Sequence, residues 1–308
     1  LSEKRETECG FLSHCRPGHP RKESPTTYPR ITRRERECPR SRRRSATLGT
    51  MELKGKSVVV TGGGAGIGRE VARQLIDKGA TVHAVDLHTD ALEASDHLIP
   101  HQLNITDRDA LSALAEQTGP VDAVVNVAGI VQDFVDIADL DRETFTRIMD
   151  VNFWGTVNTV EAFLPGLLSR PEAAVVNVSS MAGLVPVPGQ SAYGASKAAV
   201  KLFTEGLRTE LRKTDVSVSV VFPGGVNTDI AANSGVDVDG ADDPEKRAKA
   251  AEFLTSPQDA ASKIVKAVET GKARVIIGKD ARLMDTLSRI MPVKTASAMA
   301  ALMGRLTP

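Results

Sequence analysis

Cysteine is nearly missing from this 308-residue chain: Cys9, Cys15 and Cys38 are the only three, and none follows Met51. Residues 51–308 therefore carry no disulfide framework and no thiolate nucleophile, which fits a reducing, cytoplasmic setting. Cys9, Cys15 and His19 match no zinc spacing, so no metal site is expected. Aromatic residues make up only 4% of the chain. No apolar run approaches the ~20 residues that a bilayer-spanning helix needs. The net charge is zero, but 13 Lys+Arg against 6 Asp+Glu put +7 on residues 1–50 and leave −7 on the rest. An acidic body argues against a nucleic-acid partner.

Residues 1–50 are rich in Arg, Pro, Ser and Thr and show no helical or strand periodicity. They lack the apolar stretch of a secretory signal, and their acids weigh against a transit peptide. Two readings compete, a basic tail that touches anions or a segment foreign to the natural protein, and the clean start of a domain pattern at Met51 favours the second. Disorder is expected either way.

From Met51 short β-branched runs alternate with helical patterns. The strands are SVVV (57–60), TVHAVD (81–86), AVVNVAG (123–129), AAVVNVSS (173–180), VSVSVVFPG (216–224) and ARVIIG (273–278). GREVARQLIDKG, DRDALSALAEQTG, a long run from Asp141 to Arg170, and SAYGASKAAVKLFTEGLRTELRK read as helices. Nearly all-apolar strands separated by helices predict a parallel sheet covered on both faces, a single doubly wound α/β domain over 51–278. Ligands of such sheets bind at the carboxyl ends of the strands.

The first strand runs into TGGGAGIG, where Thr61, Gly62, Gly66 and Gly68 open a helix. Glycines there let the backbone turn tightly and bring free N–H groups to a diphosphate. Asp86 ends the second strand, where a carboxylate accepts from ribose hydroxyls and repels a 2′-phosphate. With Ala65 before Gly66 and Leu87 and His88 after Asp86, nothing neutralises an extra phosphate, so NAD is preferred to NADP. Capping of a loop is the competing role for Asp86. Asn104 and Ile105 are positioned to bracket an adenine.

Tyr193 and Lys197 stand at i and i+4 on one helix face. Ionising a tyrosine near pH 7 costs roughly 4 kcal/mol, and a neighbouring ammonium lowers that cost. The pair makes sense as a tuned acid/base, although spacing alone favours a core tyrosine beside a surface lysine. Ser180 closes a strand at the ligand end of the sheet and has no histidine beside it, so its natural role is to hydrogen-bond a carbonyl or alcohol oxygen. Asn152 faces inward from the long helix, where its amide must be satisfied by a structural bond, a water chain toward Lys197, or both.

Together TGGGAGIG, NVAG (126–129), the Asn152 helix, Ser180, Y-x-x-x-K at 193–197 and PGGVNT (223–228) resemble the short-chain dehydrogenase/reductase family, over residues 51 to about 278. The chain departs from the family pattern at Val127, where asparagine is common, and at Asn104, where aspartate is usual. The resemblance implies a Rossmann fold and hydride transfer between nicotinamide and a carbinol carbon. Tyr193 would handle the hydroxyl proton and Ser180 would position the oxygen. Lys197 would tune the phenol and bind the nicotinamide ribose, and Asn152 would anchor a relay water. Ile67, Asn126, Ala128, Gly129, Pro223, Gly224, Val226 and Thr228 would join the cofactor site, and a homodimer or homotetramer would form on the two long helices.

The pocket wall expected from 181–190 with Val131, Gln132 and Phe134 is mainly apolar, which suits a hydrophobic secondary alcohol or its ketone. A 3-oxoacyl-thioester reductase and a non-catalytic dinucleotide binder are the alternatives. Residues 229–250 read as a lid or a plain loop. The 279–308 tail carries the amphipathic stripe Leu283, Met284, Leu287, Ile290 and Met291, interrupted at Pro292, then Met299, Leu302, Met303 and Leu306. Arg282, Arg289, Lys294 and Arg305 flank it, so it would pack on the body or a sister subunit, cover the substrate mouth, or lie on a membrane surface.

Overall fold

A computed structural model describes residues 50–228, 230–236 and 254–303. The expectations for the basic tract, Cys9, Cys15, Cys38 and His19, for most of the 229–250 segment, and for Arg305 and Leu306 lie outside the described residues, as do the side chains of Leu302 and Met303.

Seven parallel strands form one sheet in the order β3-β2-β1-β4-β5-β6-β7. They are β1 (Ser57–Thr61), β2 (Thr81–Asp86), β3 (Leu98–Gln102), β4 (Ala123–Asn126), β5 (Ala173–Val178), β6 (Val216–Pro223) and β7 (Arg274–Ile277). The central strands are buried on both faces, which their unbroken runs of Val and Ala require. Helices α1 (Gly66–Asp77) and α7 (Pro257–Thr270) cover one face around Leu75, Ile264 and Val268. Helices α2 (Arg108–Thr118), α4 (Gly155–Leu168) and α5 (Ser191–Glu210) cover the other around Leu111, Phe163 and Leu207.

Two elements go beyond the sequence reading. Strand β3 holds Pro100 and only partly buried or exposed residues, so it lacks the apolar run that marks the others; as an edge strand it tolerates a residue with no N–H. Helix α7 begins at Ser256, whose hydroxyl accepts from the Asp259 N–H, with Pro257 in the first turn.

The long helix is interrupted. α3 (Arg142–Met149) passes through a π-helical turn, Asp150–Trp154, into α4. Such turns insert one residue and re-aim the side chains around it; here Asn152 sits in the turn and is fully buried. After Ser180 the chain makes a short 3₁₀ turn, Met181–Gly183, and α6 (Ile230–Asn233) is a single turn. The tail forms α8 (Lys279–Ile290) and α9 (Pro292–Met303), broken at Pro292 as expected. α8 packs on β7 and on the 3₁₀ turn, while Leu283, Ile290, Met291 and Val293 stay exposed. Among the described residues no helix is long and apolar enough to cross a membrane.

Candidate active site

The strand order places β4 beside β1, so Thr61 and Asn126 are register neighbours at the carboxyl edge of the sheet. A cavity of about 1130 Å³ opens there. Gly62, Gly66, Ile67, Gly68, Asp86, Asn104, Ile105, Ala128, Gly129 and Thr228 all line it. Thr61 and Asn126 lie behind that wall in a buried polar chain. Thr61 Oγ1 donates to Asn126 Oδ1 at 3.4 Å, Asn126 Nδ2 to Asn177 Oδ1 at 2.9 Å, and Asn177 Nδ2 to Thr204 Oγ1 at 3.0 Å. Their side chains hold β1, β4, β5 and α5 together. Pro223, Gly224 and Val226 are outside the wall as well; Gly224 N–H donates to the Ile277 carbonyl, and Val226 bridges to Thr255.

The glycine turn is built by close approach. A Cβ on Gly68 would overlap the Gly62 carbonyl, and one on Gly62, whose φ is +71°, would meet the Ala128 backbone. Helix α1 therefore starts directly against β1. Its N-cap, Ala65, offers no side-chain hydrogen bond, and its first turn has no acidic residue. That leaves first-turn amides facing a cavity as donors for an anion. Asp86 lies across the turn: its Oδ2 accepts from Gly64 N–H at 2.8 Å and its Oδ1 from His88 N–H at 3.1 Å. Asn104 Oδ1 accepts from Thr106 N–H at 3.0 Å, and the Ile105 side chain packs closely on Gly155.

The wall also holds charged residues from α3 and its continuation that the sequence reading did not pick out: Arg142, Glu143, Arg147 and Asp150. With Asp86 and Asp90 the wall carries four carboxylates against two guanidinium groups.

Ser180, Tyr193, Lys197 and Asn152 come together beside this cavity. Ser180, whose Oγ accepts from Ala182 N–H at 3.1 Å, lies near enough to the Tyr193 hydroxyl to influence its ionisation. Lys197 is 3% exposed; its Nζ donates to the Val178 carbonyl at 3.2 Å and lies 5.9 Å from the Tyr193 ring centroid. A methyl on Gly129 would come within 2.9 Å of that Nζ and 3.0 Å of Asn152 Oδ1, so lysine and asparagine meet the cavity wall at Gly129. Asn152 Oδ1 accepts from Ile130 N–H at 2.8 Å, and its Nδ2 donates to the Ile130 carbonyl and to Ser196 Oγ, each at 2.9 Å. Both donors are taken, and one acceptor lone pair remains. Ser179 Oγ donates to the Lys197 carbonyl at 2.7 Å and ties β5 to α5.

Burial pushes the Tyr193 phenol above its ordinary value, opposed by the nearby Ser180 hydroxyl. Burial pulls the Lys197 ammonium down to about 8. In the protein alone, desolvation thus outweighs the help that the ammonium was expected to give the phenolate. Lowering Lys197 from 10.5 to about 8 corresponds to a cost of about 3 kcal/mol for keeping it charged.

Three polar contacts were not legible beforehand. Gln132, read only as pocket wall, is 1% exposed and caps the helix that carries Tyr193; Gln190 bonds back to it. Asp280, in the first turn of α8, accepts from Gly225 N–H at 2.8 Å and links the tail to the 223–228 loop. Each pair is at least 55 residues apart in sequence, and no local pattern announces it.

A family model described as short chain dehydrogenase matches residues 56–239. The chain is 39% identical over 262 residues to SadH, a Mycobacterium tuberculosis protein described as an oxidoreductase, covering 78% of this chain and 92% of that one. It is 32% identical over 190 residues to the 3-oxoacyl-[acyl-carrier-protein] reductase FabG of Thermotoga maritima, covering 58% of this chain and 77% of that protein. The crystal structure of a short chain dehydrogenase from Burkholderia cenocepacia in complex with NADP superposes with a TM-score of 0.68 at 26% identity, covering 84% of this chain and all of the other.

Proposed function

The chain belongs to the short-chain dehydrogenase family, an NAD(P)-dependent oxidoreductase with a Rossmann fold, and from that premise we propose that it interconverts a hydrophobic secondary alcohol and its ketone with NAD. The observation that carries this reading is the buried Lys197 ammonium beside the Tyr193 ring, meeting a glycine-lined cavity at Gly129. A lysine kept charged at a cost of several kcal/mol makes little sense as a stabilising feature and good sense as a working one.

A dinucleotide suits the cradle. Its diphosphate would meet the uncapped amides of α1, Asp86 would accept from the adenosine ribose, and Asn104 and Ile105 would flank the adenine. Thr61, Ile67, Asn126, Ala128, Gly129, Pro223, Gly224, Val226 and Thr228 complete the proposed cofactor site by contact or support. The excess of carboxylates in the wall supports NAD over NADP, because a 2′-phosphate would enter a negative field. Bound NAD supplies the hydride acceptor; the protein supplies orientation and proton handling.

In the oxidative direction Ser180 Oγ hydrogen-bonds the substrate oxygen, and Tyr193 takes the hydroxyl proton as the carbinol hydride leaves. The Lys197 ammonium favours the phenolate electrostatically and would also bind the nicotinamide ribose. Asn152 Oδ1 and Lys197 Nζ both border Gly129, and a relay water there would accept from the ammonium and donate to the amide's free lone pair. The loop at 181–190, with exposed Phe134 packed against Gly189, supports an apolar substrate.

A second reading is a 3-oxoacyl-thioester reductase, favoured by the likeness to FabG. We read 51–278 as the dehydrogenase domain and 279–308 as an appended helical tail. A homodimer or homotetramer is supported by exposed Trp154 and Leu202 on the two long helices. Cytoplasmic placement fits the cysteine usage, and a peripheral membrane contact would use the exposed apolar face of α8 and α9.

The test is an assay of purified protein with NAD or NADP against lipophilic secondary alcohols, and with NADH or NADPH against an acetoacetyl thioester. NAD-linked oxidation of the alcohols supports the proposal. Thioester reduction without alcohol oxidation would replace it by the second reading.

A further inference from the structure

Helix α5 starts without a cap of its own. Gln190 occupies the N-cap position, yet its side chain makes no bond to the helix. The first-turn amides of any helix need partners, and an uncapped start costs about 1 kcal/mol. In α5 one of these amides belongs to Tyr193 itself, the third residue of the helix. Its N–H donates to Gln132 Oε1 at 3.1 Å, across 61 residues of sequence.

Gln132 is held on every side. Its Nε2 donates to the Gly189 carbonyl at 3.2 Å, and its own main-chain carbonyl accepts from Gln190 Nε2 at 2.7 Å. Gln132 is 1% exposed and Gln190 5% exposed. Two buried amides thus exchange bonds between the segment after β4 and the start of α5. That segment lines the cavity from Val127 to Ile130 and touches Asn152.

The residue type is informative. An N-terminal helix cap commonly takes a carboxylate, which the helix dipole favours. A carboxylate at 132 could accept from Tyr193 N–H but could not donate to the Gly189 carbonyl. It would also place a negative charge against the main-chain N–H of Tyr193, where it would oppose ionisation of the phenol carried by the same residue. A neutral amide is the side chain that satisfies both bonds and leaves the phenol undisturbed.

We infer that Gln132, latched by Gln190, is a positioning residue for the reaction: it sets the depth and angle at which Tyr193 enters the site and keeps the helix start uncharged. This inference rests on the proposed proton-handling role of Tyr193. The latch makes Gln132 an electrostatic choice as well as a steric one.

Two variants of the full chain test it. In Gln132→Met, which keeps length without hydrogen bonds, kcat should fall about tenfold with the dissociation constant for NADH unchanged. In Gln132→Glu, which keeps the acceptor, the Tyr193 phenol should titrate at higher pH than in the parent chain. That titration is read as phenolate absorbance after subtracting a Tyr193→Phe chain, with no substrate or dinucleotide present. Unchanged kcat in Gln132→Met would overturn the inference, and so would a proportional loss of NADH affinity, which marks general disruption. An unmoved phenol in Gln132→Glu would overturn the electrostatic half. If the parent chain oxidises no alcohol, the proposed reaction fails, while the phenol titration still decides the role of Gln132.

Discussion

The two ends of the cleft are made of different material. The end near β1 and β2 is backbone: a glycine turn, uncapped helix amides and one carboxylate that itself leans on backbone N–H groups. The end near β4, β5 and α5 is side chain: buried Asn152, Ser196, Lys197 and Gln132, each locked by hydrogen bonds. Backbone recognises what is common to a class of ligand, because every chain offers the same N–H groups. Side chains do chemistry, because only they can be tuned by burial and by neighbours. Damage at the first end should therefore weaken binding, and damage at the second should slow turnover.

The largest test of that division is Tyr193→Phe. Removing one oxygen should lower kcat by about a thousandfold with NADH affinity within a fewfold of the parent; a fully active variant would break the comparison. Next comes Gly68→Ala at the other end. Its methyl would overlap the Gly62 carbonyl, so a loss of about 2 kcal/mol of stability is expected in urea unfolding, together with weaker dinucleotide binding. A smaller effect sharpens the binding side further. Asp86→Ser should raise the preference for NADPH over NADH by about tenfold in kcat/KM while leaving the better of the two rates nearly intact. A preference that did not move would remove Asp86 from cofactor selection.

The smallest effect lies away from the cleft and serves as a control. His83 and His101 stack on β2 and β3 with Nδ1 and Nε2 3.0 Å apart, and burial holds both below the ordinary histidine value. The unfolded chain binds protons there more readily, so the stability is fully present above pH 6.5 and is lost as pH falls toward the folded values. Tm should drop between pH 7.5 and 5.5, and His83→Phe should flatten that dependence without altering kcat at pH 7.5.

The same division explains how much could be read in advance. The glycine turn, Asp86 and Ser180 were legible because each is a residue type with local meaning at a strand end, whereas the Tyr193–Lys197 spacing gained its meaning only beside Ser180 and Asn152. The sheet was legible from its valine runs, except for β3, where Pro100 and half-exposed side chains hide an edge strand. Helix α7 did carry a local signal in Ser256 and Pro257, which the acidic stretch before it obscured. Gln132, Gln190 and Asp280 were invisible, since a polar residue in a loop acquires its partner only when distant segments meet. For Asn152 the sequence supplied the need for satisfaction, and the π-turn supplied the partners.

At the centre stands the claim that the phenol of Tyr193 yields its proton near neutral pH once a dinucleotide cation joins Lys197. Tyr193 and Tyr28 are the only tyrosines, so ultraviolet titration against a Tyr193→Phe chain isolates the group. Burial predicts that the phenol of the free protein stays protonated past pH 10, and saturating NAD should draw its midpoint down toward neutrality. A midpoint that stayed above 10 with NAD bound would contradict it.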